Sequence, residues 1–202
     1  MYGGSKGIAG RPADITGNVT LNLHGGTIEN AFGGSNINGN ITGTITVNVL
    51  DKEDSDCPLY ITNIYGGSNL TNYEPTNSNI ESPVVNVVHI KSGVSGNVYG
   101  GSKGAEGSVN PTIVQANPLV NIGYDATSMD TYLPNTTIYP RPASPRAIVA
   151  GSVFGGGDAA KIQGNTTIFL RDRAKVFGNV YGGGNLGEVT GNTKVIVFGD
   201  NQ

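Results

Sequence analysis

The chain has 202 residues, 32 of them glycine and none tryptophan, with 13% charged residues and a formal net charge of −3. So little charge beside 37% hydrophobic residues excludes an intrinsically disordered chain, which combines low hydrophobicity with high net charge. Twelve scattered Lys and Arg residues give no basis for expecting nucleic acid, which calls for clustered positive charge. Cys57 stands alone, so no intrachain disulfide forms. No apolar run approaches the ~18 residues of a membrane span, and the expectation is no transmembrane segment. Neither a basic n-region nor an apolar h-region precedes the first motif. The chain stops on the strand-like run VIVFGDNQ, so it reads as one domain, 1–202, cut from a longer protein.

An aromatic residue followed by two glycines recurs at Tyr2, Phe32, Tyr65, Tyr99, Phe154 and Tyr181. The starts lie 30, 33, 34, 55 and 27 residues apart, a repeat with one large insertion. Repeats therefore begin near residues 1, 31, 64, 98, 153 and 180. In the first, Ile15, Val19, Leu21 and Leu23 alternate with polar residues, the pattern of a half-buried strand. The second holds the same register with Ile41, Ile45, Val47 and Val49, then enters the acidic loop LDKEDSDCPL. The third loses regularity through Tyr73, Pro75 and Asn77 and resumes as VVNVVHI. The fourth carries LVNIGY and then departs from the period over 125–147. Pro134, Pro140, Pro142 and Pro145 exclude much of that segment from a central strand. In the fifth, VFGG, NTTIFL and AKVFG predict three short strands, with Lys161-Ile162-Gln163 as a fourth. Three strands in about 27 residues suit one coil of a parallel β-helix, whose like positions stack about 4.8 Å apart. No window shows a 3.6-residue period. A propeller or sandwich is the competing architecture, but propeller blades need some 40 residues or more.

The motif's residues suit that reading. The aromatic is expected to point inward and stack on its equivalents. The glycines after it, Gly155 and Gly182 among them, are expected to supply positive φ at a sharp corner. Gly-Asn at 17–18, 39–40, 96–97, 164–165, 178–179 and 191–192 marks a second corner, where asparagine tolerates left-handed backbone and can form amide ladders.

No nucleophile–base constellation stands out, and no catalytic residue, cofactor or metal is expected. His24 before a turn and His89 in a strand lie too far apart to suggest a metal site or triad. GGGD at 155–158 lacks the nine-residue recurrence of calcium-binding glycine repeats. Asp51, Glu53, Asp54 and Asp56 offer oxygen ligands for Ca²⁺ without the EF-hand spacing, and read as a solvated acidic turn. A polysaccharide lyase would need Asp158, Lys161, Asp172, Arg171 and Arg173 brought together. The strongest binding candidates lie in or beside the excursion: Tyr124, Tyr132 and Tyr139 as flat faces for sugar rings, Arg141 and Arg146 for acidic groups. The bland alternative is a flap packed over one face. Asn-x-Thr at Asn18, Asn40, Asn69, Asn135 and Asn165 largely follows the Gly-Asn corners.

The YGGS/VFGGG…GN pattern resembles the glycine-rich β-solenoid repeats of large adhesin-like surface proteins of gut bacteria and, more loosely, autotransporter passenger domains. The resemblance spans the chain apart from 125–147. It implies a right-handed parallel β-helix of about six coils, secretion to the cell surface, and a role as stalk or adhesive surface toward host or microbial glycans or surface proteins. It carries over no catalytic residue. Two other functions stay open: a carbohydrate-active enzyme, and a solenoid that self-associates end to end or laterally.

Overall fold

A computed structural model describes residues 1–50, 58–88, 93–123, 147–171 and 174–198. These residues are all-β, with no helix among them. One six-stranded sheet takes a strand from each repeat: β1 (Val19–Leu23), β3 (Ile45–Leu50), β5 (Glu81–Val88), β8 (Asn117–Ile122), β12 (Thr166–Leu170) and β15 (Thr193–Val197). A five-stranded sheet is built in the same order from β2 (Gly26–Phe32), β4 (Leu59–Tyr65), β6 (Val98–Tyr99), β10 (Val153–Phe154) and β14 (Val180–Tyr181). Two smaller pairs complete the set: β7 (Ile113–Val114) with β11 (Lys161–Ile162), and β9 (Ala147–Val149) with β13 (Ala174–Val176). Every pairing between these strands is parallel, and neither large sheet closes into a barrel.

Register follows the repeat. Val19 pairs with Ile45, Val47 with Val85, Val85 with Val120, and Ile168 with both Val120 and Val195. Alternation along each strand sends these residues to one face, where Val47, Val85, Val120 and Ile168 are completely buried. They share a cluster with Ile64, Val98 and Val153 of the five-stranded sheet and with Val94 and Val149. The main core thus lies between the sheets, and full burial of each such side chain is worth roughly 1.5–3 kcal/mol. A second cluster gathers Val19, Ile41, Ile45, Tyr73, Val114, Ala116 and Ile162.

Tyr73 falls in the stretch where the apolar pattern lapses, yet it is completely buried. Its hydroxyl donates to the Gly43 carbonyl at 2.9 Å and lies 2.6 Å from Ser82 Oγ, which accepts the Ile45 N–H at 3.0 Å. Asn72 Oδ1 accepts the Ile113 N–H, tying this irregular segment to the next repeat.

On the opposite face of the six-stranded sheet runs a column of amides. Asn48 donates to Asn22, Asn86 to Asn48 and Asn121 to Asn86, each Nδ2–Oδ1 distance being 2.8 Å. Asn48, Asn86 and Asn121 are all buried. The column ends where Phe169 takes the equivalent position, leaving Asn121 Oδ1 without a hydrogen-bond partner.

Candidate functional site: an amide-flanked aromatic column and its groove

The six motif aromatics form one continuous stack. Successive ring centroids from Tyr2 through Phe32, Tyr65, Tyr99 and Phe154 to Tyr181 lie 4.8, 4.8, 4.8, 4.9 and 5.1 Å apart, with planes within 13° of parallel. The rings do not point inward as expected. Neighbouring residues of a strand face opposite ways, and it is Val98 and Val153 that enter the main core, while Phe32, Tyr65, Tyr99 and Phe154 make a separate buried cluster.

The glycines after the ring correct a second expectation. Positive φ occurs at Gly7, Gly10, Gly26, Gly39, Gly104, Gly107 and Gly123, and not at the motif glycines. What excludes a side chain from Gly33, Gly66, Gly100 and Gly155 is crowding: a Cβ there would collide with the carbonyl oxygen of Gly66, Gly100, Gly155 and Gly182 respectively. Among the glycines of the Gly-Asn corners only Gly39 has positive φ. The corner asparagines hold the next repeat by their side chains: Asn18 Oδ1 accepts the Thr44 N–H, Asn97 that of Ser152, and Asn165 that of Asn192, each at 2.8 Å.

Amides line both edges of the aromatic column. Along one edge Asn63 donates to Asn30 Oδ1 at 3.1 Å, Asn63 Oδ1 accepts the Asn97 N–H, and Asn97 Oδ1 accepts that of Ser152. Along the other edge backbone pairing aligns Lys6, Asn36, Asn69, Lys103, Asp158 and Asn185. There Asn69 donates to Asn36 at 3.0 Å and Asn185 to Asp158 at 3.0 Å. One step inward, Ser35, Ser68 and Ser102 are buried, and their hydroxyls accept the N–H groups of Ser5, Ser35 and Ser68.

Burial dominates the chemistry of the tyrosines. Desolvation raises the Tyr65 hydroxyl well above its ordinary value, with the Asp158 carboxylate adding to the rise. Tyr99 is raised by burial and then by Asp158, while a hydrogen bond from Asn97 opposes the shift. Burial pushes Tyr73 up to about 12. An unfolded tyrosine ionises near 10, so above that pH the unfolded chain releases protons that the folded chain retains. The stability contributed by these groups is complete below pH ~10 and is lost as the pH climbs toward ~12. The urea midpoint should therefore fall over that window, in step with tyrosinate absorbance; a midpoint flat across it would contradict the burial of these hydroxyls.

Since each inner ring spends both faces on its neighbours, the column offers no stacking platform along its length: Phe32, Tyr65, Tyr99 and Phe154 are 3–6% exposed. Tyr2 is different, at 37%. Beside it lies an open groove of about 520 Å³ lined by Met1, Tyr2, Thr27, Ile28, Glu29, Asn30, Phe32, Asn69 and Lys103. Burial raises the Tyr2 hydroxyl, and a hydrogen bond with Asn69 opposes that rise.

The residues singled out for binding, Tyr124, Tyr132, Tyr139, Arg141 and Arg146, lie outside the described residues, as do the acidic loop 51–56, Cys57, His89, Asp172 and Arg173. His24 Nδ1 lies 2.8 Å from the Leu50 carbonyl oxygen. The described members of the lyase set have separate engagements. Asp158 accepts from Asn185, Lys161 pairs with Glu188 at 2.8 Å, and the Arg171 guanidinium lies over the Phe169 and Phe198 rings at 4.5 and 5.0 Å. Among the described residues no helix is long and apolar enough to cross a membrane, and no three His, Cys, Asp or Glu residues cluster to hold a metal ion. Sequence reasoning missed Glu29, Asn69 and Lys103. The available signal was position, since Asn69 and Lys103 each follow a YGGS motif directly.

No protein-family model, curated protein or solved structure matches the chain.

Proposed function

We propose that this chain is a stretch of right-handed parallel β-helix of about six coils, acting as a non-catalytic spacer or adhesive module of a secreted bacterial surface protein. The observation that carries this reading is the unbroken aromatic column, whose 4.8–5.1 Å steps match the spacing of neighbouring parallel strands. A stack in which each unit touches only its neighbours makes a stiff support of adjustable length. Tandem duplication of residues 154–180 tests it. One further coil should insert in register, giving a soluble protein whose melting temperature is no lower than the parent's; aggregation or a marked drop would count against the helix. Incubation with plant, bacterial and host polysaccharides, with and without Ca²⁺, tests the non-catalytic part, and released products would favour a carbohydrate-active enzyme.

A further inference from the structure

We propose that the outer face of the six-stranded sheet is the docking surface for the chain's own residues 124–146, the segment that interrupts the repeat and lies outside the described residues. Docked there, it adds a second layer to one side of the stacked coils.

Burial identifies the face. Strand alternation turns Leu50 of β3, Val84, Asn86 and Val88 of β5, and Leu119 and Asn121 of β8 away from the main core. An outer face with nothing over it meets water, yet these six side chains are only 1–3% exposed. Leu50, Val84, Val88 and Leu119 belong to none of the three apolar clusters formed by the described residues. The composition of the face is graded to match. Backbone pairing lines up Thr20, Thr46, Val84, Leu119, Thr167 and Lys194 in one row. The ends of that row, Thr20 and Lys194, are polar and exposed. Only the third and fourth repeats place apolar residues in it, and only those two are buried.

The occupant follows from chain length and from where the segment begins and ends. Ile122 pairs with Leu170 and Ala147 with Ala174, so the connections after β8 and after β12 start and finish at equivalent places. After β12 three residues make the step; after β8 it takes 24. Extended, residues 124–146 can reach about 75 Å. That far exceeds the roughly 10 Å across β3, β5 and β8 and the roughly 20 Å along them. The segment departs from Gly123, whose N–H bonds to the Val87 carbonyl at 3.1 Å, on the border of the buried patch. Its composition suits the surface. Tyr132, Leu133, Ile138 and Tyr139 offer apolar area, and four prolines oppose pairing as a central strand, which leaves side chains to make the contact. The shorter interruption 51–57 carries four Asp or Glu residues, and a carboxylate laid on Leu50 or Val84 loses its water at high cost. Residues 89–92 are too few to cross the face and return.

Crosslinking within the whole chain is the test. Leucine is replaced throughout by photo-leucine, which keeps the shape of the side chain, and the dilute protein is irradiated. Peptide mass spectrometry then maps the links made from Leu50 and Leu119. The expected result is that links from both positions fall mainly within 124–146 of the same chain. Links to 51–57 or 89–92, links between two chains, or no links from Leu119 where the core residue Leu59 gives them, would overturn the proposal. A second measurement uses a shortened chain, with the connection after β8 cut to three residues as after β12. Its ANS fluorescence should rise several-fold as the apolar face meets water. Adding Val84→Thr and Leu119→Thr, which continues the threonine row, should bring the signal back toward the parent's. Unchanged dye binding on shortening, or a rise that the threonines leave intact, overturns the proposal as well. A shortened chain that fails to fold leaves the decision to the crosslinks, which are read on the intact chain.

Discussion

Gly155→Val should destabilise the protein by more than about 3 kcal/mol, beyond the usual cost of overpacking. A Cβ at Gly155 would collide with the Gly182 carbonyl oxygen and lie 3.0 Å from Thr166 Cβ. Neither yields cheaply. The Gly155 N–H is bonded to the Tyr181 carbonyl at 2.9 Å, so relief by backbone movement breaks a bond that holds two repeats together. Gly182→Val should cost less, because the nearest atom to its added Cβ is a side-chain carbon, Thr193 Cβ, at 2.9 Å. Gly17→Ala, with nothing within 4 Å, should change stability by no more than about 0.5 kcal/mol. Urea unfolding of the three variants checks the order. Equal losses at Gly155 and Gly182 would mean that close approach between repeats is not what demands glycine.

Asn86→Leu should cost about 3 kcal/mol, although leucine is similar in size and more apolar. Asn86 donates to Asn48 and accepts from Asn121, all within a buried column. Leucine removes both interactions and strands Asn48 Oδ1 and Asn121 Nδ2 away from water, at roughly 1–3 kcal/mol for each orphaned group. Removing partners together avoids most of that penalty. Leucine at positions 22, 48, 86 and 121 at once should therefore cost less per site than Asn86→Leu alone. A fourfold variant whose loss is four times the single one would show that the amides do not act as a column.

The repeat itself was legible because stacking demands like residues at like positions, and the aromatic-Gly-Gly motif states that demand six times. The alternation of Ile45, Val47 and Val49 likewise announced strand β3. Which way the rings face was not legible from the motif taken alone. It follows from the residue before each ring: valine, isoleucine or alanine at positions 31, 64, 98, 153 and 180 claims the inner face and sends the aromatic outward. The role of the glycines was misjudged for a related reason, since positive φ is a local property while crowding by the next repeat is not. The buried amide column had a visible signature in LNL, VNV, VNV and VNI, centred on Asn22, Asn48, Asn86 and Asn121. The burial of Tyr73 was not legible because a lone tyrosine among polar residues carries no period, and only Asn72 before it, like Asn40 before Ile41, marks the position. The groove was the least legible part, since Tyr2, Glu29, Asn69 and Lys103 come from three repeats and meet only through the register between them.

The aromatic column also has an optical consequence. With no tryptophan in the chain, ultraviolet absorption and emission belong to tyrosine and phenylalanine. Tyr65 and Tyr99 stack at 4.8 Å with planes 1° apart, flanked by Phe32 and Phe154. At such separations excitation does not stay on the ring that absorbed it: energy taken up by either phenylalanine passes to a tyrosine neighbour, and the two tyrosines share it as a coupled pair. The protein therefore carries a built-in chromophore whose signal reports the spacing between repeats, and reports it without any added label.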